Sequence, residues 1–292
     1  MGDHLDSSFR GPFLFRAVAR EIRHQHRVFW RNPVAICFTL ALPVLTLPLL
    51  QAINQGAFVD TPAASGFIPD GFTRGDVEVA SQYVTGLRVP FAQYLAPMSA
   101  AYAVAIACMA HLANRTAIAR DLGILKRVRG TPLPASVYVA GLVGASITLA
   151  VLMAVAAVGV GVVAWDVQVI GRLLPGASVA LLVGVVTFCA LGLGLGTLVP
   201  NSTAAPAITY SLLVPLGMLS SVFFPPEIAP DWMHDLGSAL PLQPFGQALF
   251  AGFSPDTASP GILWGELAKV AAWGAVGVVV TIRGFRRDPV NG

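Results

Sequence analysis

The chain has 292 residues, of which 55% are hydrophobic and only 11% charged, with a mean hydropathy of +0.71 and a formal net charge of +3. These values exclude an ordinary soluble domain, in which about 25% of residues are charged, and describe a polytopic membrane protein. A nucleic-acid-binding surface is excluded too, because the bases are not interleaved with soluble, aromatic-bearing surface but clustered between apolar runs.

The first predicted element lies in a cytoplasmic N-terminal region, residues 1–33. The stretch "PFLFRAVAREIRHQHRVFWR", residues 12–31, places Phe15, Val18, Ile22 and Phe29 near one side of a helix and Arg16, Arg20, Arg23 and Arg27 in a basic stripe. An amphipathic helix of this kind lies in the membrane interface with its arginines on anionic headgroups. A plainer reading is a juxtamembrane segment that only sets orientation. About thirty polar residues precede the first apolar run, so the N-terminus does not read as a cleavable signal.

Six apolar segments follow, each near the 17 to 25 helical residues that cross a bilayer. They span 34–51, 91–112, 137–164, 175–198, 205–224 and 262–282, and together form a transmembrane domain over 34–282. Runs such as "ITLAVLMAVAAVGVGVVAW" do not alternate apolar with polar residues, which excludes a β-barrel. Fourteen of the 18 Lys and Arg fall in three segments: Arg10 to Arg31 before the first span, Arg115 to Arg129 between the second and third, and Arg283 to Arg287 after the last. The positive-inside rule makes these cytoplasmic, along with both termini and the tail 283–292. The connections 52–90 and 225–261 are acid-rich and face outward; the uncharged link "PNSTAAP" falls inside by counting spans.

Within the spans little is ionisable, which argues against an ion- or proton-coupled carrier. Cys37, Cys108 and Cys189 lack CxxC spacing and read as small packing residues. Gly141, Gly144 and Ala145 in the third span, and Gly192, Gly194 and Gly196 in the fourth, allow close helix approach. Glu266 and Lys269, three apart in the last span, form an intramembrane pair. Two roles fit it: an interfacial ion pair with a snorkelling lysine, or a part in substrate passage and outer-gate locking.

The segment "NRTAIARDLGILKRVRGTPLPASVY", residues 114–138, is helix-compatible to about Arg129 and then stops at Gly130, Pro132 and Pro134. A compact basic helix here suits contact with a soluble cytoplasmic partner, although basic loops also fix topology without binding anything. The two lysines, Lys126 and Lys269, are not preceded by the GxxxxGK[ST] spacing, so any ATP is bound by another chain. His4, His24, His26, His111 and His234 make no HExxH set and no GxSxG occurs, so neither a metal centre nor a serine nucleophile is indicated.

Two segments together resemble the ABC type-2 transporter permease family, the membrane subunits of drug, lipid and polysaccharide exporters, including its daunorubicin-resistance-like members. "RDLGILKRVRGTPLP" is similar to the family's cytoplasmic segment after the second span, with Gly123, Leu125, Thr131 and Pro132 at matching positions. "FFPPEIAPDWMHDLGSALPLQPFGQALFAGF" resembles its C-terminal block through Phe223, Phe224, Pro225, Pro230, Trp232, Pro241, Leu242 and Pro244. The family often has an acid where Lys126 stands and a threonine where Ile124 stands, which blurs which side chains meet the partner.

The resemblance implies an all-α polytopic protein of six transmembrane helices, with an N-terminal interfacial helix, a cytoplasmic coupling helix and short re-entrant outer helices before the last span. It implies no catalytic residues. Arg115, Arg120, Asp121, Gly123, Leu125, Lys126, Arg127 and Arg129 are then the coupling contact, and Phe223, Phe224, Pro225, Pro226, Trp232, Pro241 and Pro244 the outer gate. ATP and magnesium belong to a separate nucleotide-binding ATPase subunit. The further partners are a second permease copy, identical or related, and the lipid bilayer of the plasma membrane, and the cargo is a hydrophobic or amphipathic molecule. The alternatives are an intramembrane lipid-modifying enzyme and a non-transporting scaffold.

Overall fold

The structure, a computed structural model, describes residues 10–31, 45, 48–50, 52, 58–60, 88–124, 135–223, 230–255, 257 and 260–287. Most of the first expected span, 34–51, lies outside them. They are helical apart from a three-residue antiparallel ladder, β1 (Phe58–Asp60) with β2 (Arg88–Pro90), which pairs Phe58 with Pro90 and Asp60 with Arg88. An all-α reading does not anticipate this ladder, which joins the two stems of the long 61–87 connection.

In chain order the helices are α1 (Arg10–Trp30), α2 (Phe91–Ala105), a π-helical turn (Ile106–Ala110), α3 (His111–Asp121), α4 (Ala135–Trp165), α5 (Leu174–Leu198), α6 (Ala205–Leu219), α7 (Asp231–Ala239), α8 (Leu242–Phe250) and α9 (Trp264–Arg287). Four helical segments among the described residues are long and apolar enough to cross a membrane: Phe91–Asp121, Val137–Trp165, Gly171–Leu198 and Trp264–Arg286. The chain is therefore a multi-pass membrane protein. The segment expected over 205–224 gives only the 15-residue α6, about 22 Å long at 1.5 Å per residue. It ends where Ser220 and Ser221 turn the chain, Ser221 at a φ of 53°.

Phe91–Asp121 is one continuous helical segment, so the residues expected to begin a separate coupling helix extend a span instead. It breaks at Leu122 and Gly123; Ile124 is helical again, and the expected end near Arg129 lies outside the described residues. Leu122 N–H donates to Ile118 O and Gly123 N–H to Arg120 O, both at 3.0 Å, and Gly123 has a φ of +62°. This is a left-handed helix end of the kind glycine favours.

All residues from Phe91 to Ala110 are buried. This segment forms the centre of the bundle, and α4, α5, α6 and α8 pack around it. Packing needs space at the π turn, where the backbone bulges. Gly192 of α5 provides it, since a Cβ there would lie 2.8 Å from Met109 Cα and 2.9 Å from Cys108 O. The most extensive pairing is α5 with α9, which meet glycine to backbone: a Cβ on Gly194 would lie 3.1 Å from Gly277 O, and one on Gly277 would lie 2.7 Å from Leu191 N. In lipid, where apolar side chains gain little by leaving the solvent, such close contacts hold helices together through dispersion.

The contacts assign each helix end to one of two poles. One pole holds α1, α3, the start of α4, and the ends of α5 and α9: α1 lies on Gly141 and Gly144 of α4, and Thr197 of α5 lies against Gly284 of α9. It gathers Arg16, Arg20, Arg23, Arg27, Arg115, Arg120, Arg283 and Arg286, and is called here the basic pole. The opposite pole holds β2, the 166–173 connection, α7, α8 and the start of α9. There a Cβ on Gly176 would overlap Pro260 O and Gly261 O.

Candidate coupling and gating sites

At the basic pole, α1 turns Glu21, Ile22 and Gln25 toward α4, and Arg16, Arg20, Arg23 and Arg27 are exposed on its other side. The small residues expected at the start of the third span thus receive α1: a Cβ on Gly141 would overlap Glu21, and one on Gly144 would lie 2.6 Å from Ile22 Cδ1. Gln25 is buried at 3% exposure. Its Nε2 donates to Glu21 Oε1 at 2.6 Å, and its Oε1 accepts from Arg115 Nη2, so α1 is tied to α3 as well. Next to this link, the Ser146 hydroxyl donates to Leu142 O at 3.1 Å, which leaves its oxygen to accept from His111 Nδ1–H at 2.7 Å.

The close seat of α1 gives a direct expectation. Gly141→Val forces a branched side chain against the Glu21 stem and backbone, and overpacking of this kind costs about 1–3 kcal/mol. Trypsin should then cut α1 at its arginines roughly tenfold faster or more in membrane-embedded protein, with the bundle still folded. Unchanged cleavage would contradict the seat.

Arg120 and Asp121 end α3 against the turn between α5 and α6. Arg120 Nη1 lies 3.1 Å from Gly196 O, 3.1 Å from Thr197 O and 3.0 Å from Val199 O. These carbonyls close α5, where the helix dipole is negative and a cation is favoured. Asp121 Oδ2 accepts from Ser202 N–H at 2.5 Å, and Asn201 Oδ1 accepts from Ala204 N–H at 2.8 Å just before α6. Of the expected coupling residues the structure therefore brings Arg115, Arg120, Asp121 and Gly123 to one tip; Leu125, Lys126, Arg127 and Arg129 lie outside the described residues.

At the opposite pole, the expected gate block contains the short helices α7 and α8. Phe223 meets Tyr102 of α2 edge to face, with ring centroids 5.3 Å apart, and Phe250 meets Tyr94 in the same way at 5.3 Å. Tyr94 Oη donates to Ser221 O at 3.1 Å. Phe245 packs on Phe188 at 5.7 Å, and Pro241 and Pro244 are buried. Phe224, Pro225 and Pro226 lie outside the described residues. Trp232, expected in the outer gate, is 62% exposed on α7, and Trp264 at the start of α9 is 71% exposed. Both match the amphipathic rings that sit at a membrane interface.

Two amides secure this block, and a search limited to ionisable groups passes over both. Gln93 Nε2 donates to Gln168 O at 2.9 Å and Phe253 O at 2.8 Å, while its Oε1 accepts from Gln168 N–H at 2.8 Å. Gln243, 1% exposed, has its Nε2 3.2 Å from His234 Nδ1. Its buried Oε1 has no hydrogen-bond partner among the described residues. The available signal was an amide inside an apolar run, which is costly to bury unpaired.

Ser221 carries strain at the same place. A left-handed conformation costs a non-glycine residue about 1–2 kcal/mol, and its buried Oγ has no hydrogen-bond partner among the described residues. Ser221→Gly should raise stability by about 0.5–1 kcal/mol after the entropy cost of glycine, read as a higher unfolding midpoint in detergent.

Lys269 Nζ lies 3.0 Å from Glu266 Oε1 and 3.2 Å from Oε2. The side chains are 49% and 22% exposed, so the pair is on the outer face of α9, not in the bundle core. Cys108 and Cys189 are buried free thiols, and Cys37 lies outside the described residues. Among the described residues no three His, Cys, Asp or Glu side chains gather as a metal site.

No curated protein matches the chain. The family profile described as ABC-2 type transporter matches residues 17–253, from within α1 to the turn after α8, and so covers the basic tip, the enclosed α2 and the block at the opposite pole. The chain thus belongs to the ABC-2 type transporter family, as a permease subunit of an ABC transporter.

Proposed function

We propose that the chain pairs with a second permease copy and a separate nucleotide-binding ATPase to export a hydrophobic or amphipathic molecule, drug- or lipid-like, across the plasma membrane. The observation that carries this reading is the gathering of α1, the α3 tip and the end of α9, with their arginines, at one pole. Under the positive-inside rule that pole is cytoplasmic, and both termini with it. The tip at Gly123, continued by Leu125, Lys126, Arg127 and Arg129, is the surface offered to the ATPase. ATP and magnesium are held there by the partner. The α1 arginines meet anionic headgroups, and the 223–253 block closes the exit. A charge-poor bundle favours apolar cargo over sugars or ions.

The test is reconstitution of the chain in liposomes with and without a co-expressed nucleotide-binding subunit, assayed against a panel of lipophilic drugs and fluorescent phospholipids. The chain alone should hydrolyse no ATP, and ATP-dependent efflux of at least one probe should need both subunits. Efflux that persists without any ATPase partner rejects the reading. Lipid turnover by the purified chain, lost in Asp231→Asn or Asp235→Asn, would favour the intramembrane enzyme instead.

A further inference from the structure

Arg120 and Asp121 hold the two sides of one turn with opposite charges. The guanidinium meets the last carbonyls of α5 at Gly196, Thr197 and Val199, and the carboxylate meets the Ser202 N–H on the way into α6. Each charge is matched to the backbone end it faces: cation to carbonyls, anion to an amide. From that turn α6 runs toward the opposite pole, exposed along one side through Tyr210, Val214 and Met218. Its far end passes directly into Ser221 and Phe223, which are attached to Tyr94 and Tyr102.

We propose that the Arg120–Asp121 pair is a joint that makes α6 a connecting rod, carrying displacement of the α3 tip to the 219–223 turn. The proposal deepens the permease reading above and rests on it. Arg120 and Asp121 act here as positioning residues through the backbone they hold, whatever further contact the tip makes with a partner. Two states differing in the position of the tip then differ at the far turn as well, because the rod is short, helical and fixed at both ends.

Hydrogen exchange on the full chain in nanodiscs tests the joint. Arg120→Gln and Asp121→Leu each remove one side of it, and each should speed amide exchange over 199–206 about tenfold, the loss expected from a few hydrogen bonds to charged groups. Arg120→Lys keeps a cation with several donors and should recover part of the protection. Because the two variants act on different sides of the turn, failure of one to fold leaves the other decisive. Unchanged exchange over 199–206 in a folded variant overturns the joint.

The rod is tested in the assembled complex with ATP and vanadate. Wild type should show a nucleotide-dependent change in exchange at both 116–124 and 219–223. Arg120→Gln should keep the change at 116–124 and lose it at 219–223, with partial return in Arg120→Lys. A change that still reaches 219–223 in Arg120→Gln overturns the proposal. If nucleotide changes neither segment in wild type, the permease reading fails first, and this role fails with it.

Discussion

Gly277→Leu is expected to destabilise the permease bundle strongly. The position faces backbone, with Leu191 N at 2.7 Å and Ala190 C at 2.8 Å from where a Cβ would be, so no rotamer change can relieve the clash. The two helices must separate, and among the described residues they are the most extensively packed pair. Overpacking alone costs about 1–3 kcal/mol, and a leucine at a backbone contact lies at or above the upper end. The unfolding midpoint in detergent should fall by several degrees, at about 2–4 °C per kcal/mol for a domain of this size, and the size-exclusion profile should broaden. Gly159→Ala is the matched control. Nothing lies within 4 Å of a Cβ there, so it should be neutral or stabilising by up to about 1 kcal/mol. Equal behaviour of the two variants would show that glycine at 277 is not needed for close approach.

The second large effect is expected at Gln93. Gln93→Leu preserves bulk but breaks three hydrogen bonds to backbone groups of Gln168 and Phe253. Leaving a buried polar group unpaired costs about 1–3 kcal/mol. Phe253 is buried, whereas Gln168 is exposed and regains water, so the total is expected at about 2–4 kcal/mol. The opening should be local: exchange over 166–170 and 250–254 rises, while the α5–α9 pair remains protected. Gln93→Glu separates donor loss from shape. It presents an anion to two carbonyl oxygens and should be at least as damaging as Gln93→Leu. A Gln93→Glu variant that matches wild type in local exchange would remove the amide from this role.

The fold was legible in sequence wherever composition and period suffice. The α1 face carrying Arg16, Arg20, Arg23 and Arg27 follows from helical spacing, and the apolar runs behind α2, α4, α5 and α9 follow from hydropathy. What hydropathy cannot distinguish is lipid from protein, because both surround a span with hydrocarbon. The enclosure of α2 was therefore not visible, and neither was the assignment of Gly141 and Gly144 to α1 rather than to another span. The shortness of α6 depends on the turn at Ser220 and Ser221, two residues whose composition does not require a left-handed backbone. The π turn has no composition of its own and is only recognisable beside Gly192.

The site was legible in part for a related reason. Charge marked Arg115, Arg120 and Asp121 as a cluster, but not that Arg120 and Asp121 face the chain's own backbone at the α5–α6 turn. The Gln25, Gln93 and Gln243 amides carry no charge and follow no motif. Their importance comes from the geometry of backbone groups distant in sequence, such as the 160 residues between Gln93 and Phe253.

The complete enclosure of Phe91–Ala110 has a consequence for biosynthesis. This helix leaves the ribosome before α4, α5, α6 and α8, which pack around it. At 5–20 residues per second, the chain from Ala110 to Phe253 takes on the order of ten seconds to make. Through that interval the Gln168, Leu213, Ser221 and Phe253 carbonyls that accept from Gln93, Tyr94 and Tyr102 arrive one by one. A nascent chain halted before Leu242 presents to the lipid a half-covered helix whose Gln93 amide still lacks its Phe253 acceptor, a state suited to recognition by membrane quality control. Once α8 is made, the helix is covered.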